Sequence, residues 1–360
     1  MRGKRQAGFS IAEFLVAMTI TLIITAAAFS AYDSAVRINE TVALTTEVTG
    51  NLRASMNYMV QDLIQTAEGI PTGGIPIPSN NAAVPINRPG PPGAALTFPL
   101  GNAVLPAMEP GPFLGPVITP PDAAPGGPTD IVTILYADNT MAPALNTNPI
   151  NRPAGATGPA CAGTISANGD TVTFDAGCMV LPADNTRIRP GDLIMFSNAN
   201  GNALQNVTGV GGQVLSFAAG DPFNLNGRND PQGTIRQLFN ADGTLPPTTA
   251  TRIWMISYYL DNVTVPGQVR LVRQVNFNPG QPVGEAIEDL QMTYNFVDGV
   301  ANPSNQRTVP AGETENFIRT VNLFLAARSN VPSSRTRKYF RNNLATQVSL
   351  RSLAYVSRYN

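Results

Sequence analysis

A chain of 360 residues with 43% hydrophobic and 13% charged residues can bury a large core behind a neutral, polar surface. Its formal net charge of -1 argues against a general binder of polyanions. It contains no histidine, which removes Ser-His-Asp and Cys-His catalysis, histidine-containing zinc sites and histidine-ligated haem.

Residues 1–8 read MRGKRQAG, with Arg2, Lys4 and Arg5 and no acid. Phe9 to Phe29 follows as 21 residues with one charge, Glu13. A run of about 20 apolar residues crosses a bilayer as a helix, and the basic flank should stay cytoplasmic. A secretory signal places its small-residue cleavage site after the apolar run. Here Ala7-Gly8 comes before it, so cutting there removes the leader and keeps the helix. A carboxylate inside an apolar span is costly and is a functional candidate by default. The partner that suits Glu13 is the α-amino group that cleavage after Gly8 would create on Phe9, in the same chain or a neighbour. The alternative is that Glu13 snorkels to the headgroups.

No proline precedes Pro71, so the helix has no reason to stop at the membrane. Val48, Leu52, Met56, Met59 and Leu63 share one helical face, with Asn51, Arg53, Asn57, Gln61 and Asp62 largely off it. Gly69 and Pro71 are stop signals. The pattern predicts a helix from Ser10 to Ala67, roughly 85–90 Å long, with Gly50 as a weak point costing about 1 kcal/mol.

Residues 71–128 hold 16 of the 32 prolines and nine glycines. Arg88-Pro89-Gly90-Pro91-Pro92-Gly93 excludes helix and central strand. The tract reads as an extended, irregular surface loop, partly polyproline II, serving either as a recognition loop or as a tolerated insertion. From Asp130 onward the period is two. Leu290, Met292, Tyr294 and Phe296 alternate with Gln291, Thr293 and Asn295, and Val321, Leu323 and Leu325 alternate with Thr320, Asn322 and Phe324. Val269, Leu271 and Val275 share a face with Arg273. Ile131–Tyr136, Ile253–Leu260 and Val348–Tyr355 are further strands. Such alternation fits an antiparallel sheet covered on one face, and the amphipathic half of the helix is the obvious cover.

Cys161 and Cys178, 17 positions apart, are too few for a structural zinc site. In an exported chain they read as one disulfide, contributing roughly 3 kcal/mol in the chain-entropy model; the alternative is two unpaired buried thiols. Asp221, Asn224, Asn226 and Asp230 offer oxygens that calcium would accept, but an ordinary polar turn is the preferred reading. Glu285, Glu288 and Asp289 lack a second catalytic group and read as solvated turn acids. The last 45 residues carry eight cations and no acid, Arg335-Thr336-Arg337-Lys338-Tyr339-Phe340-Arg341 among them. This stretch reads as a loop pairing with acids on the head or on neighbours; contact with DNA is the alternative.

Gly8-Phe9-Ser10-Ile11-Ala12-Glu13 resembles the prepilin motif of type IV pilins and type II secretion pseudopilins. The resemblance implies that a prepilin peptidase cuts after Gly8 and methylates Phe9, and that Glu13, fifth in the mature chain, acts in assembly. Met59–Ile64, Ile188–Ile194, Gly284–Gln291 and Val348–Leu353 resemble segments of the PilW-like minor pilins and, more distantly, of the larger minor pseudopilins. The implied fold is α+β: a long transmembrane and amphipathic helix packed on an antiparallel β-sheet head. The expected organisation is a leader at 1–8, the pilin helix at 9–68 with 9–29 in the membrane, the Pro/Gly-rich loop at 69–128 and the head at 129–360. The implied role is a structural minor pilin-like subunit, not an enzyme and without cofactor or metal, that initiates or joins a type IV pilus. The alternatives are a minor pseudopilin of type II secretion and an adhesin or DNA-binding tip subunit. Implied partners are the prepilin peptidase, other pilins or pseudopilins, the inner-membrane assembly platform and the lipid bilayer. The implied location is the bacterial inner membrane with a periplasmic head, then the filament.

Overall fold

The computed structural model describes residues 10–78, 85–99, 104–121, 126–138, 163–174, 188–227, 230 and 232–353. It is an α+β structure in which one long helix packs on antiparallel sheets.

Helix α1 runs Ile11–Gln65 without a break at Gly50, where a side chain would meet nothing. Its 55 residues correspond to roughly 80 Å. Ser10 caps the start. The end is fixed by a left-handed Ala67 and by pairing with a strand: Ala67 N–H donates to Leu135 O at 2.9 Å and Ala137 N–H to Glu68 O at 2.7 Å. Gly69 completes the turn at φ 68, and a Cβ there would lie 2.5 Å from that of Ala137.

Eighteen strands follow among the described residues. The Pro/Gly-rich tract supplies β1 (Ile75–Pro76), β2 (Asn87–Arg88), β3 (Leu96–Thr97), β4 (Val104–Leu105) and β5 (Met108–Gly111). Then come β6 (Ile131–Ala137), β7 (Gly163–Ile165), β8 (Thr171–Phe174), β9 (Leu193–Asn198), β10 (Gly201–Asn206), β11 (Gly209–Gly211) and β12 (Val214–Ser216). The last six are β13 (Thr249–Asp261), β14 (Arg270–Val275), β15 (Gln281–Glu285), β16 (Ile287–Phe296), β17 (Ile318–Arg328) and β18 (Arg341–Ser349). The central sheet has the order β10-β9-β13-β14-β15, with β6 also paired to β13 and β5 to β6. A second sheet is β16-β17-β18, and a smaller one is β11-β12-β8-β7.

The apolar stripe of α1 forms one core with faces of both larger sheets. Val48, Leu52, Met56, Met59 and Leu63 pack with Ile134, Tyr136, Ile256, Tyr258 and Leu271 of the central sheet. They also pack with Leu290, Met292, Tyr294, Phe296, Val321, Leu323 and Leu325 of the second. Gly284 faces the helix so closely that a Cβ would lie 2.0 Å from Ser55 Oγ. Its lack of a side chain lets α1 seat on β15, where Ser55 Oγ donates to Val283 O at 3.2 Å.

Two expectations change. Among its described residues, the tract at 71–128 is in part core rather than surface loop, although Phe113, Leu114 and Val117 stay exposed. Ile75, Ile77, Ile86, Phe98 and Leu105 are buried against Leu135, Leu193, Met195, Leu204, Ile253 and Met255. They cover the face of the central sheet that α1 leaves open. Proline bars long strands here, but paired strands of two to four residues still form, β1 and β5 each including one proline. This second cover is why every residue of β6 is buried. The strand expected at Val348–Tyr355 is β18, which ends at Ser349. Leu350 turns its N–H to Arg319 O at 2.9 Å and packs into the main core with Leu353. Tyr355 lies outside the described residues.

The tract also buries charge. Arg88 on β2 and Glu109 on β5 are 3% and 6% exposed. Arg88 Nη1 donates to the backbone carbonyl of Glu109 at 3.3 Å rather than to its carboxylate. Among the described residues, Arg88 Nε and Glu109 Oε2 have no hydrogen-bond partner. Burial pushes the Glu109 carboxyl up to about 7; Arg88 opposes the rise and Glu315 adds to it. The native state therefore keeps this proton where the unfolded chain has released it, so stability falls as pH rises from about 4.5 through about 7. The loss is on the order of 3 kcal/mol. Glu109→Gln is expected to flatten this pH dependence and to stabilise the detergent-solubilised chain at pH 8. Denaturant midpoints across that range, the same for both proteins, would contradict it.

Candidate assembly site

Two ends of α1 carry the functional geometry. At the start, Ser10 is extended (φ -77, ψ 149) and closes a capping box. Glu13 N–H donates to Ser10 Oγ at 3.2 Å, and Ser10 N–H donates to Glu13 Oε2 at 2.9 Å. The box places a carboxylate at the positive end of the helix dipole. Gly8 and Phe9 lie outside the described residues, as do Cys161 and Cys178.

Every residue from Ser10 to Asn39 is exposed. Ile11, Leu22, Ile23, Ile24 and Phe29 are 82%, 67%, 64%, 62% and 69% exposed. So large an apolar surface marks a membrane or protein contact. Among the described residues, α1 is the one helix long and apolar enough to cross a bilayer. Its threonine hydroxyls in that run are satisfied internally: Thr19, Thr21 and Thr25 each donate to the carbonyl four residues back, at 2.8, 2.8 and 2.7 Å. That is the condition for placing them in lipid.

At the other end, Asp62 fixes α1 to the head. Its carboxylate accepts from Arg273 Nε and Nη2 at 2.6 and 3.1 Å, from Tyr258 OH at 2.6 Å and from Tyr136 OH at 3.1 Å. Burial, with the Asp62 charge beside it, holds each of these two tyrosines well above the ordinary phenol range. Burial disfavours the Arg273 cation, but the bonds and charge of Asp62 outweigh it and hold Arg273 above its usual value. The three partners come from β6, β13 and β14, so one side chain of α1 ties together three strands of the central sheet.

The loop between β17 and β18 braces the helix from outside. Asn330 N–H donates to Glu47 Oε1 at 3.2 Å, Ser334 Oγ to Glu40 Oε2 at 3.1 Å, and Arg335 Nη1 meets Asp33 Oδ2 at 3.3 Å. Asp33 also pairs with Arg37 one turn on. At the base of the loop, Glu288 is buried between Arg341 Nε at 2.7 Å and Arg328 Nε at 3.2 Å.

The acids at 285–289, expected to be solvated, are not all so, since Glu288 is buried. Glu288 is in that ion-pair network, Asp289 accepts from Gln291 Nε2 at 2.7 Å, and Glu285 is exposed. The basic stretch does pair with acids of its own chain, through Arg335, Arg328 and Arg341. In the loop considered for calcium, Asp221 accepts N–H groups from Phe223, Leu225 and Asn226 at 3.1, 3.3 and 2.8 Å, and Asn226 bonds across to Asn206. These oxygens organise a turn.

Sequence reasoning found Glu13 but overlooked the Ser10-x-x-Glu13 pattern, which is itself a capping signature. It placed Asp62 off the apolar stripe without a partner. Arg273, a cation within the apolar face of β14, was the available signal.

Residues 3–29 match the family model of the prokaryotic N-terminal methylation motif. The matched segment contains Gly8, Phe9, Glu13 and the exposed apolar half of α1. No curated protein and no solved structure matches the chain. The methylation motif supports a type IV pilin-like protein, a pilin or pseudopilin-like structural subunit anchored by its apolar helix. It implies processing by prepilin peptidase and assembly with other pilins.

Proposed function

We propose that the chain is a minor pilin-like subunit of the PilW-like kind that initiates or joins a type IV pilus. The observation that supports this reading most is the methylation motif at the head of a helix whose first thirty described residues make no contact with the head's core. Cleavage after Gly8 frees the α-amino group of Phe9, which is then methylated. In the membrane, Glu13 of an incoming subunit pairs with the Phe9 amine of a neighbour. Each relieves the other's buried charge, and the pairing is made only in register. The head lies in the periplasm, with Cys161 and Cys178 joined as a disulfide, and Asp62 keeps head and helix a single rigid unit during extraction. The inner-membrane platform and other minor pilins are the partners. A large head and a retained Glu13 fit a subunit present in few copies below the topmost position.

The experiment is to shear filaments from cells expressing the chain with its cognate pilus genes and to probe the sheared fraction. The chain is expected there, and is expected to be lost from that fraction when the prepilin peptidase is deleted. Its absence from filaments, together with a secretion defect on deletion, would favour the minor pseudopilin reading instead.

A further inference from the structure

The loop that braces α1 reaches far down the helix, and its level is informative. Arg335 meets Asp33, four residues beyond Phe29 at the end of the apolar run. Four residues are about 6 Å of helix, and the headgroup layer extends about 6 Å beyond the hydrocarbon. If residues 9–29 span the bilayer, which is part of the function proposed above, the loop tip lies at the depth of the lipid phosphates.

The tip is built as a cationic projection. Ser333 N–H donates to Lys338 O at 2.9 Å and Arg337 N–H to Ser333 O at 2.9 Å, closing a tight turn. Arg337 stands at φ 53, a left-handed conformation that is strained for a side-chain-bearing residue and is often kept for a function. Arg335, Arg337 and Lys338 are exposed, with Arg335 58% open. The charged groups facing them from α1 are Asp33, Arg37 and Glu40. Asp33 is shared by Arg37 and Arg335, and Glu40 accepts from Ser334. Four cations against two acids leave this level net positive. No acid lies between residues 316 and 360 to offset it. Tyr32, 70% exposed on α1, adds an aromatic residue of the kind that settles at the membrane–water boundary.

We propose that this tip, through Arg335, Arg337 and Lys338, docks on the anionic headgroups of the membrane around the point where α1 emerges. Docking would hold the head upright at the surface before a subunit leaves the membrane, and would release as α1 is drawn out. A membrane fits better than DNA, because the cations sit at the membrane-facing end beside the span and not on the outward part of the head.

The test is hydrogen exchange on the full-length chain in two kinds of lipid nanodisc. One is phosphatidylcholine alone; the other contains about one-third phosphatidylglycerol. Amides of 329–341 are expected to exchange more slowly in the anionic discs, by about five-fold for each cation that reaches the surface. The difference is expected to vanish in 1 M salt, where the screening length is about 3 Å. It is also expected to vanish in the combined variant Arg335→Glu, Arg337→Glu, Lys338→Glu, with β16 and β17 amides reporting that the head is intact; if that variant misfolds, the salt series decides. Protection of residues 11–29 with equal exchange of 329–341 in both discs overturns the proposal and leaves the membrane anchor standing. Exposed amides at 11–29 overturn the anchor itself, and the proposal with it. Slowing by added duplex DNA in the phosphatidylcholine discs, without slowing by phosphatidylglycerol, overturns the proposal in favour of a nucleic-acid contact.

Discussion

Asp62→Ala is expected to destabilise the chain by about 3 kcal/mol, near the lower end for breaking a buried ion pair because Arg273 is partly open to solvent. Asp62 is 6% exposed and receives hydrogen bonds from Arg273, Tyr258 and Tyr136. Removing it strands a cation and two hydroxyls in the core, each of which must then find water or distort the packing. The damage should concentrate where α1 meets β6, β13 and β14. Tyr136→Phe removes one donor and leaves Asp62 with its other three bonds, so its cost should be about 1 kcal/mol. Denaturant midpoints of the detergent-solubilised proteins order these effects, and a smaller loss for Asp62→Ala than for Tyr136→Phe would contradict the role given to the carboxylate.

Glu13→Gln is expected to lower incorporation into filaments by on the order of a hundred-fold. A charge within a bilayer costs about 2.5–3.5 kcal/mol, and the proposed pairing with the Phe9 amine recovers that cost only in register. Glutamine suits this test because it can keep the capping box with Ser10, so the helix start stays intact and the charge alone is lost. Membrane insertion and cleavage after Gly8 should persist. Quantitative blotting of sheared filaments against total chain gives the ratio, and unchanged incorporation would remove Glu13 from the assembly step.

The parts of the fold legible in the sequence were those with an uninterrupted period. α1 announced itself because no proline falls within it and Val48, Leu52, Met56, Met59 and Leu63 keep helical spacing; all five are buried. β16 and β17 were legible because Leu290, Met292, Tyr294 and Phe296, and then Val321, Leu323 and Leu325, recur at every second position. The Pro/Gly-rich tract was not, because strands of two residues are too short to show a period and their pairing is set by distant partners. Ile75 pairs with Leu105, thirty positions on. The strand at Val348 was placed too late because β18 lies at a sheet edge, and its polar residues Arg341, Asn342 and Asn343 conceal the start.

At the site, chemistry that needs local spacing was readable, and chemistry that needs the fold was not. Glu13 stands out as a lone charge in an apolar run. The Asp62 cluster joins residues 74, 196 and 211 positions apart, a distance over which sequence carries no register. The same holds for Glu288 between Arg328 and Arg341: its neighbours Glu285 and Asp289 made it look like one of three surface acids, and only the β16-β17-β18 pairing brings the two arginines to it.

The most direct test of entry into the pilin pathway is the intact mass of the membrane-extracted chain, made with and without an active prepilin peptidase. With the peptidase, the expected product begins at Phe9 and carries one added methyl group; without it, the chain retains Met1 to Gly8. A chain that still begins at Met1 in the presence of active peptidase would contradict that assignment, and would leave a single-span membrane protein whose β-rich head acts by some other route.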